Sequence, residues 1–170
     1  MKTATLIFMM LSFLLIGYNK TKESKSNNQT NILITKTDGN KQMEKKEKEQ
    51  IEKLLSAYKT ILNTSNSTNV VNLYTKDGVF MPSGAPSAIG TVNIKKAYEY
   101  VFSQIQLNIE FYIDEILVEN NLAFATTTSK GTTLIHATGD IIPEENRELF
   151  VFEKENGKWK IARYMFNKTK

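Results

Sequence analysis

Glu148 opens the run ELFVF (residues 148–152), and a carboxylate at the head of an apolar strand needs a reason. Kept from counter-charge in an apolar pocket, its pKa would rise and it could donate or shuttle a proton; beside an arginine it would instead form an ion pair. His136, the single histidine, lies in TTLIHAT (132–138) among apolar and hydroxyl residues. It is either a satisfied structural residue or a group that titrates near neutrality and can act as a base. Tyr58 falls on an apolar stripe, as a core tyrosine or as a hydroxyl facing a pocket. Cysteine is absent, which excludes disulfides, thiol nucleophiles and thiolate metal sites. One histidine and no acidic cluster leave no set of metal ligands, so neither metal nor cofactor is expected.

The charge excludes another class of function. The formal net charge is +4, but residues 1–50 carry 9 lysines against 5 acids, whereas residues 51–170 carry 13 basic and 13 acidic groups. A neutral body has no electrostatic footprint for nucleic acid.

The elements that must position these residues follow in chain order. Residues 1–18, MKTATLIFMMLSFLLIGY, have the length of a signal peptide and are short for a bilayer span. They predict export (periplasmic, secreted or N-terminally anchored), with membrane contact only through this segment if it is uncleaved. Tyr18 stands where a lipoprotein signal requires cysteine, so lipidation is not expected. Residues 19–47 are polar and charged and read as a disordered tether, although the charges of 44–49 could extend the next helix.

From Ile51 onward, Leu54, Leu55, Tyr58, Ile61 and Leu62 recur at steps of three and four, the stripe of a helix ending near Asn63. A polar turn leads to a short second helix around Val70 to Tyr74, stopped by Asp77 and Gly78, and then to a short strand, residues 78–82. Thr91 can cap a third helix carrying Ile94, Ala97, Tyr98, Val101, Phe102 and Ile105. Period two then takes over. Leu107, Ile109, Phe111 and Ile113 share one parity and Ile116 and Val118 the other, which places a β-bulge at Asp114 and Glu115. Strands over 122–129 and 132–138, separated by a turn at Lys130 and Gly131, precede a loop at 139–146 and a closing hairpin around Asn156 and Gly157. The whole is α+β, with helices on one face of a bent sheet.

The hairpin leaves one register open. A two-residue turn at Asn156 and Gly157 puts Glu148 on the face of Arg163; a three-residue turn puts it opposite Tyr164.

IEKLLSAYKTILNTSNSTNVVNLYTKDGVFMPSGAPSAIGTVNIKKAY, followed by strands ending in GKWKIARYMF, resembles the nuclear transport factor 2-like superfamily, in its SnoaL-like and ketosteroid-isomerase-like branch. The resemblance spans residues 48–167. It implies one domain, 48–170, built as a cone-shaped α+β barrel, three N-terminal helices packed on a strongly bent antiparallel sheet, with an apolar pocket and often a homodimer. In ketosteroid isomerases a helix-one tyrosine and a protonated aspartic acid form the oxyanion hole, and another aspartate before a Pro-Gly loop moves the proton. Tyr58 matches the tyrosine and Glu148 the neutral acid, but the base position falls on Met81, which cannot take a proton. Steroid-type isomerisation is therefore not expected.

The resemblance also supplies pocket walls: Phe124, Thr126 and Thr128 on one strand, with Met81 and a subset of Tyr74, Phe80, Phe102, Phe111, Phe150, Tyr164 and Phe166. The expected function is an exported domain that binds a small hydrophobic molecule, with acid-base chemistry on Glu148, Tyr58 and His136. The alternative is a non-catalytic ligand-binding or interaction module that dimerises through the outer sheet face. The partner of Glu148 and the cavity volume discriminate between them.

Overall fold

A computed structural model describes residues 26–169; the expected signal or anchor, residues 1–18, and the start of the tether lie outside the described residues. The chain divides into two compact units, Met1–Thr37 and Asp38–Lys170. The second carries the whole of the site described below.

The stripe on the first helix, α1 (Ser26–Asn63), is buried as its spacing predicts: Ile51, Leu55, Tyr58 and Leu62 are each no more than 5% exposed. The helix begins well before Ile51, however. Residues 26–47 are helical where a disordered tether was expected. Composition misled here because a charged helix need not bury apolar surface to be anchored. Glu44 pairs with Lys48 one turn on at 2.7 Å. Glu47 accepts hydrogen bonds from Trp159 Nε1 and Lys154 Nζ, each at 2.7 Å. Lys154 also lies 5.1 Å over the Trp159 ring, and its bond to Glu47 holds that carboxyl below the usual range. Glu47→Ala is expected to cost about 1–2 kcal/mol, the worth of partly exposed charge-assisted bonds, measured as a lower urea midpoint. An unchanged midpoint would show that the helix extension is not held to the sheet through Glu47.

Next come α2 (Ser67–Val70), capped by the Asn66 side chain, and a turn of 3-10 helix, Val71–Leu73. Strand β1 (Tyr74–Met81) starts where the second helix was expected to continue, and β2 (Ala88–Ile89) follows the Pro-Gly loop. Helix α3 (Gly90–Gln104) buries Ile94, Tyr98 and Phe102. Its N-cap is Ile89, without a side-chain bond, so Thr91 lies inside the helix instead of capping it.

The remaining strands are β3 (Ile105–Glu119), β4 (Leu122–Ile135), β5 (Ile141–Glu155) and β6 (Lys158–Lys168). All six form one open sheet in the order β2-β1-β6-β5-β4-β3, antiparallel except where β1 runs parallel to β6. The expected α+β cone is thus present, with its sheet mixed and not closed.

Two expected loops are strand. Residues 141–146 already pair with β4, Pro143 opposite Thr132. Strand β4 also runs unbroken through Lys130 and Gly131, where a turn was expected. The glycine answers a different need. A Cβ on Gly131 would sit 2.0 Å from the backbone oxygen of Asn108 on β3, so it permits close approach of two backbones and makes no turn.

The bulge in β3 lies where the parity switch predicts, with Ile113 opposite Thr127 and Glu115 opposite Thr126, leaving Asp114 extra. A second bulge resolves the hairpin. Asn156 and Gly157 form a two-residue turn with φ of 49° and 75°, the left-handed pair a tight hairpin needs. Phe152 then pairs with Ile161 but Val151 with Arg163, so Ala162 is the extra residue. The bulge shifts everything beyond it: Phe150 faces Tyr164 and Glu148 faces Phe166.

Candidate functional site

Because Glu148 and Phe150 point inward from β5, their partners Thr127 and Ala125 on β4 must as well, and period two adds Ala123, Ser129 and Thr133. All five are no more than 4% exposed. Glu148 is itself 6% exposed. It accepts hydrogen bonds from Thr127 Oγ1 at 2.5 Å, Ser129 Oγ at 3.0 Å and Tyr164 OH at 3.1 Å.

No lysine or arginine among the described residues hydrogen-bonds or ion-pairs with it. Arg163 donates to the carbonyl of Ala162, and Arg147 lies on the opposite parity of β5, facing Thr128. Burial therefore dominates, pushing the Glu148 carboxyl from 4.5 up to about 7 against the pull of its hydroxyl donors, with nearby Glu144 adding to the rise.

Across from it stands a chain of tyrosines. Tyr58 OH is hydrogen-bonded to Tyr98 OH, which bonds in turn to Tyr74 OH at 2.9 Å. Burial pushes these hydroxyls and that of Tyr164 above the usual range, so they stay protonated near neutrality. The rings are fixed by packing: Tyr58 stacks on Phe111 with centroids 6.0 Å apart and meets Tyr164 edge-on at 5.4 Å.

Between tyrosines and carboxylate lies a partly open cavity of about 80 Å³. Tyr58, Tyr98, Tyr164, Asn146, Glu144 and Glu148 supply its polar groups, and Leu62, Phe80, Pro82, Val101, Leu107, Ile109 and Phe166 the rest. A single water needs ~10–15 Å³ of such space, so this one admits a molecule of about five or six non-hydrogen atoms.

The structure brings together Glu148, Tyr58, Phe80, Tyr164 and Phe166 of the residues expected from sequence. Tyr74, Phe102, Phe111 and Phe150 stand behind the wall. Phe150 stacks on Tyr164 at 4.3 Å, and Phe102 lies against Tyr98 at 5.7 Å.

Other expected residues are elsewhere. Phe124, Thr126 and Thr128 have the outward parity on β4, so the inward hydroxyls, which hold Glu148 from behind the cavity wall, are those of Thr127 and Ser129 instead. Met81 pairs with Met165, and Pro82 takes its place on the wall. His136 is exposed beyond the end of β4, its Nδ1 3.1 Å from the carbonyl oxygen of Ser103, and does not line the cavity. Sequence reasoning missed Thr127, Ser129, Glu144, Asn146 and the pocket role of Tyr98. The inward parity of Glu148, carried along β5 and across to β4, was the available signal for the first four. Among the described residues no group of three or more histidines and carboxylates is placed to hold a metal ion.

Helices laid over one face of a bent sheet, enclosing a small cavity with a carboxylate and tyrosines, define a SnoaL-like domain. A family model described as a SnoaL-like domain matches residues 51–166, and the chain belongs to this family, within the nuclear transport factor 2-like superfamily. It is similar to the crystal structure of a ketosteroid isomerase-like protein from Erwinia carotovora atroseptica, at 33% identity over 71% of this chain and 94% of that one, with a TM-score of 0.68. A candidate dehydratase of the nuclear transport factor 2-like family from Streptomyces avermitilis shares the fold at 14% identity, covering 74% of this chain and 98% of that one, with a TM-score of 0.65. So does a candidate scytalone dehydratase from Novosphingobium aromaticivorans, at 16% identity over 73% and 85%, with a TM-score of 0.63. None of the curated proteins matches the chain.

Proposed function

We propose that this SnoaL-like domain binds a small, largely apolar molecule in the cavity and transfers a proton through Glu148. The observation that carries this reading is a buried carboxyl held by Thr127, Ser129 and Tyr164 and by no cation among the described residues, at the edge of a cavity. A carboxyl titrating at about 7 offers both proton states at neutral pH, the condition for general acid-base work.

The tyrosines supply the complement. Two hydrogen bonds link three hydroxyls, which leaves one proton unused within the chain. When Tyr98 donates to Tyr58, the Tyr58 proton is free for an oxygen of the bound molecule, where negative charge develops as Glu148 removes a proton. The cavity size favours fragment-sized substrates over steroids.

The test is exchange of the α-protons of 1-hydroxy-2-butanone, which has six non-hydrogen atoms, in D2O, followed by NMR. The wild-type rate is expected to rise with pH through about 7, because the ionised carboxyl is the base. Glu148→Gln is expected to lose about a hundredfold. A rate unchanged in Glu148→Gln would sink the assignment of Glu148. Binding without exchange in the wild type would leave a ligand-binding module, the reading favoured by Met81 at the position where the resemblance puts an isomerase's base.

A further inference from the structure

The inner face of β5 carries Glu144, Asn146 and Glu148 at alternate positions, and all three line the cavity. Each carboxylate is served by its own donors. Glu148 has those already described, while Glu144 accepts from Thr133 Oγ1 at 2.9 Å and from Lys168 Nζ at 3.2 Å. Asn146 joins the two groups. Its Nδ2 donates to Ser129 Oγ at 3.2 Å and to Glu144 Oε1 at 2.9 Å, which uses both amide hydrogens.

That arrangement fixes which way the amide faces. Turned over, it would set its oxygen against the Glu144 carboxylate, two acceptors with no proton between them. Oδ1 is consequently left buried without a hydrogen-bond partner among the described residues, as is Thr75 Oγ1 on β1, and its residue is only 5% exposed. The hydroxyls nearby cannot be recruited to it. Thr127 and Ser129 are committed to Glu148, and Thr133 to Glu144, so turning any of them would strip a donor from a buried carboxylate. Leaving an amide oxygen unpaired is unfavourable, which makes this atom selective for what enters.

We propose that the cavity takes a small molecule bearing an O–H or N–H donor, and that Asn146 Oδ1 is the atom that accepts it. This rests on the cavity reading of the proposed function and names the chemical class of its ligand. A ketone or ether of the same shape leaves Oδ1 unpaired. An alcohol or amine satisfies it.

The experiment compares cyclopentanol with cyclopentanone, rings of equal size that differ in the donor, by NMR titration of the full chain at about pH 8.5. The alcohol is expected to bind roughly tenfold or more tightly, the worth of one satisfied buried acceptor. Asn146→Leu is expected to abolish the preference. Equal binding of the two rings to the wild type, a comparison that needs no variant, would assign Oδ1 to bridging water and overturn the proposal while leaving the cavity reading in place. A preference surviving Asn146→Leu would move the acceptor to Glu148 and overturn it too. If neither ring binds, the cavity reading falls along with it.

Discussion

Between about pH 5 and about pH 8 the protein is expected to lose about 3 kcal/mol of folding stability that Glu148→Gln does not lose. The sign follows from proton binding. In the folded chain the Glu148 carboxyl titrates at about 7, and its ordinary value is 4.5. Between those values the folded state still holds a proton that the unfolded state has released, so stability falls as the pH rises. The contribution is fully present below 4.5 and is lost through about 7. At ~1.4 kcal/mol per pH unit, the gap gives the stated magnitude. Urea unfolding of both proteins across this range is the check, because other titrating groups cancel in the difference. Parallel profiles would mean that the carboxyl keeps its hydration when folded, and the apolar-cavity account of Glu148 would fail.

The second large effect is expected at Gly131. Replacing it with alanine sets a methyl 2.0 Å from the Asn108 oxygen and 2.8 Å from the Ile109 Cα, both backbone atoms that cannot rotate away. Gly131→Ala is therefore expected to cost more than about 3 kcal/mol, above the ordinary range for an overpacked side chain, since β3 and β4 must part to admit it. Thermal unfolding would report this as a large drop in midpoint. The residue pairs with Ile109 on one side and Glu144 on the other, so parting the strands also disturbs a cavity wall. Gly157→Ala is a useful contrast: it meets nothing within 4 Å and bears only the strain of a left-handed φ.

The two bulges show what can be read from sequence and what escapes. At Asp114 the change of apolar parity along β3 revealed the extra residue. The same signal is present in β6, where Trp159 and Ile161 are inward on odd positions and Tyr164 and Phe166 on even ones. Turn length conceals it, because a tight Asn156-Gly157 turn already implies a complete register by itself. The turn alone would have put Glu148 on the side of Arg163, and Ala162 reverses that outcome.

Resemblance points to Thr126 and Thr128 where the structure turns Thr127 inward, because a threonine repeat has no parity of its own and only pairing with Glu148 breaks the tie. Gly131 looked like a turn because sequence cannot distinguish a glycine that bends its own chain from one that admits a neighbour. His136 is the lone histidine, but rarity says nothing about position. The helix stripe containing Tyr58 was legible because burial there follows a single period.

The pairing of β1 with β6 bears on how the molecule assembles. β6 lies inside the sheet, joining β1 and β2 on one side to the β5-β4-β3 meander on the other. Tyr74 meets Ile161 and Phe80 meets Tyr164, contacts between chain segments far apart in sequence. Neighbouring hairpins can form early and locally, but the wall that carries Tyr164 closes only when the closing strand docks against β1. Such non-local parallel pairing is intrinsically slow. The final, rate-limiting event of folding is then expected to be the one that creates the cavity.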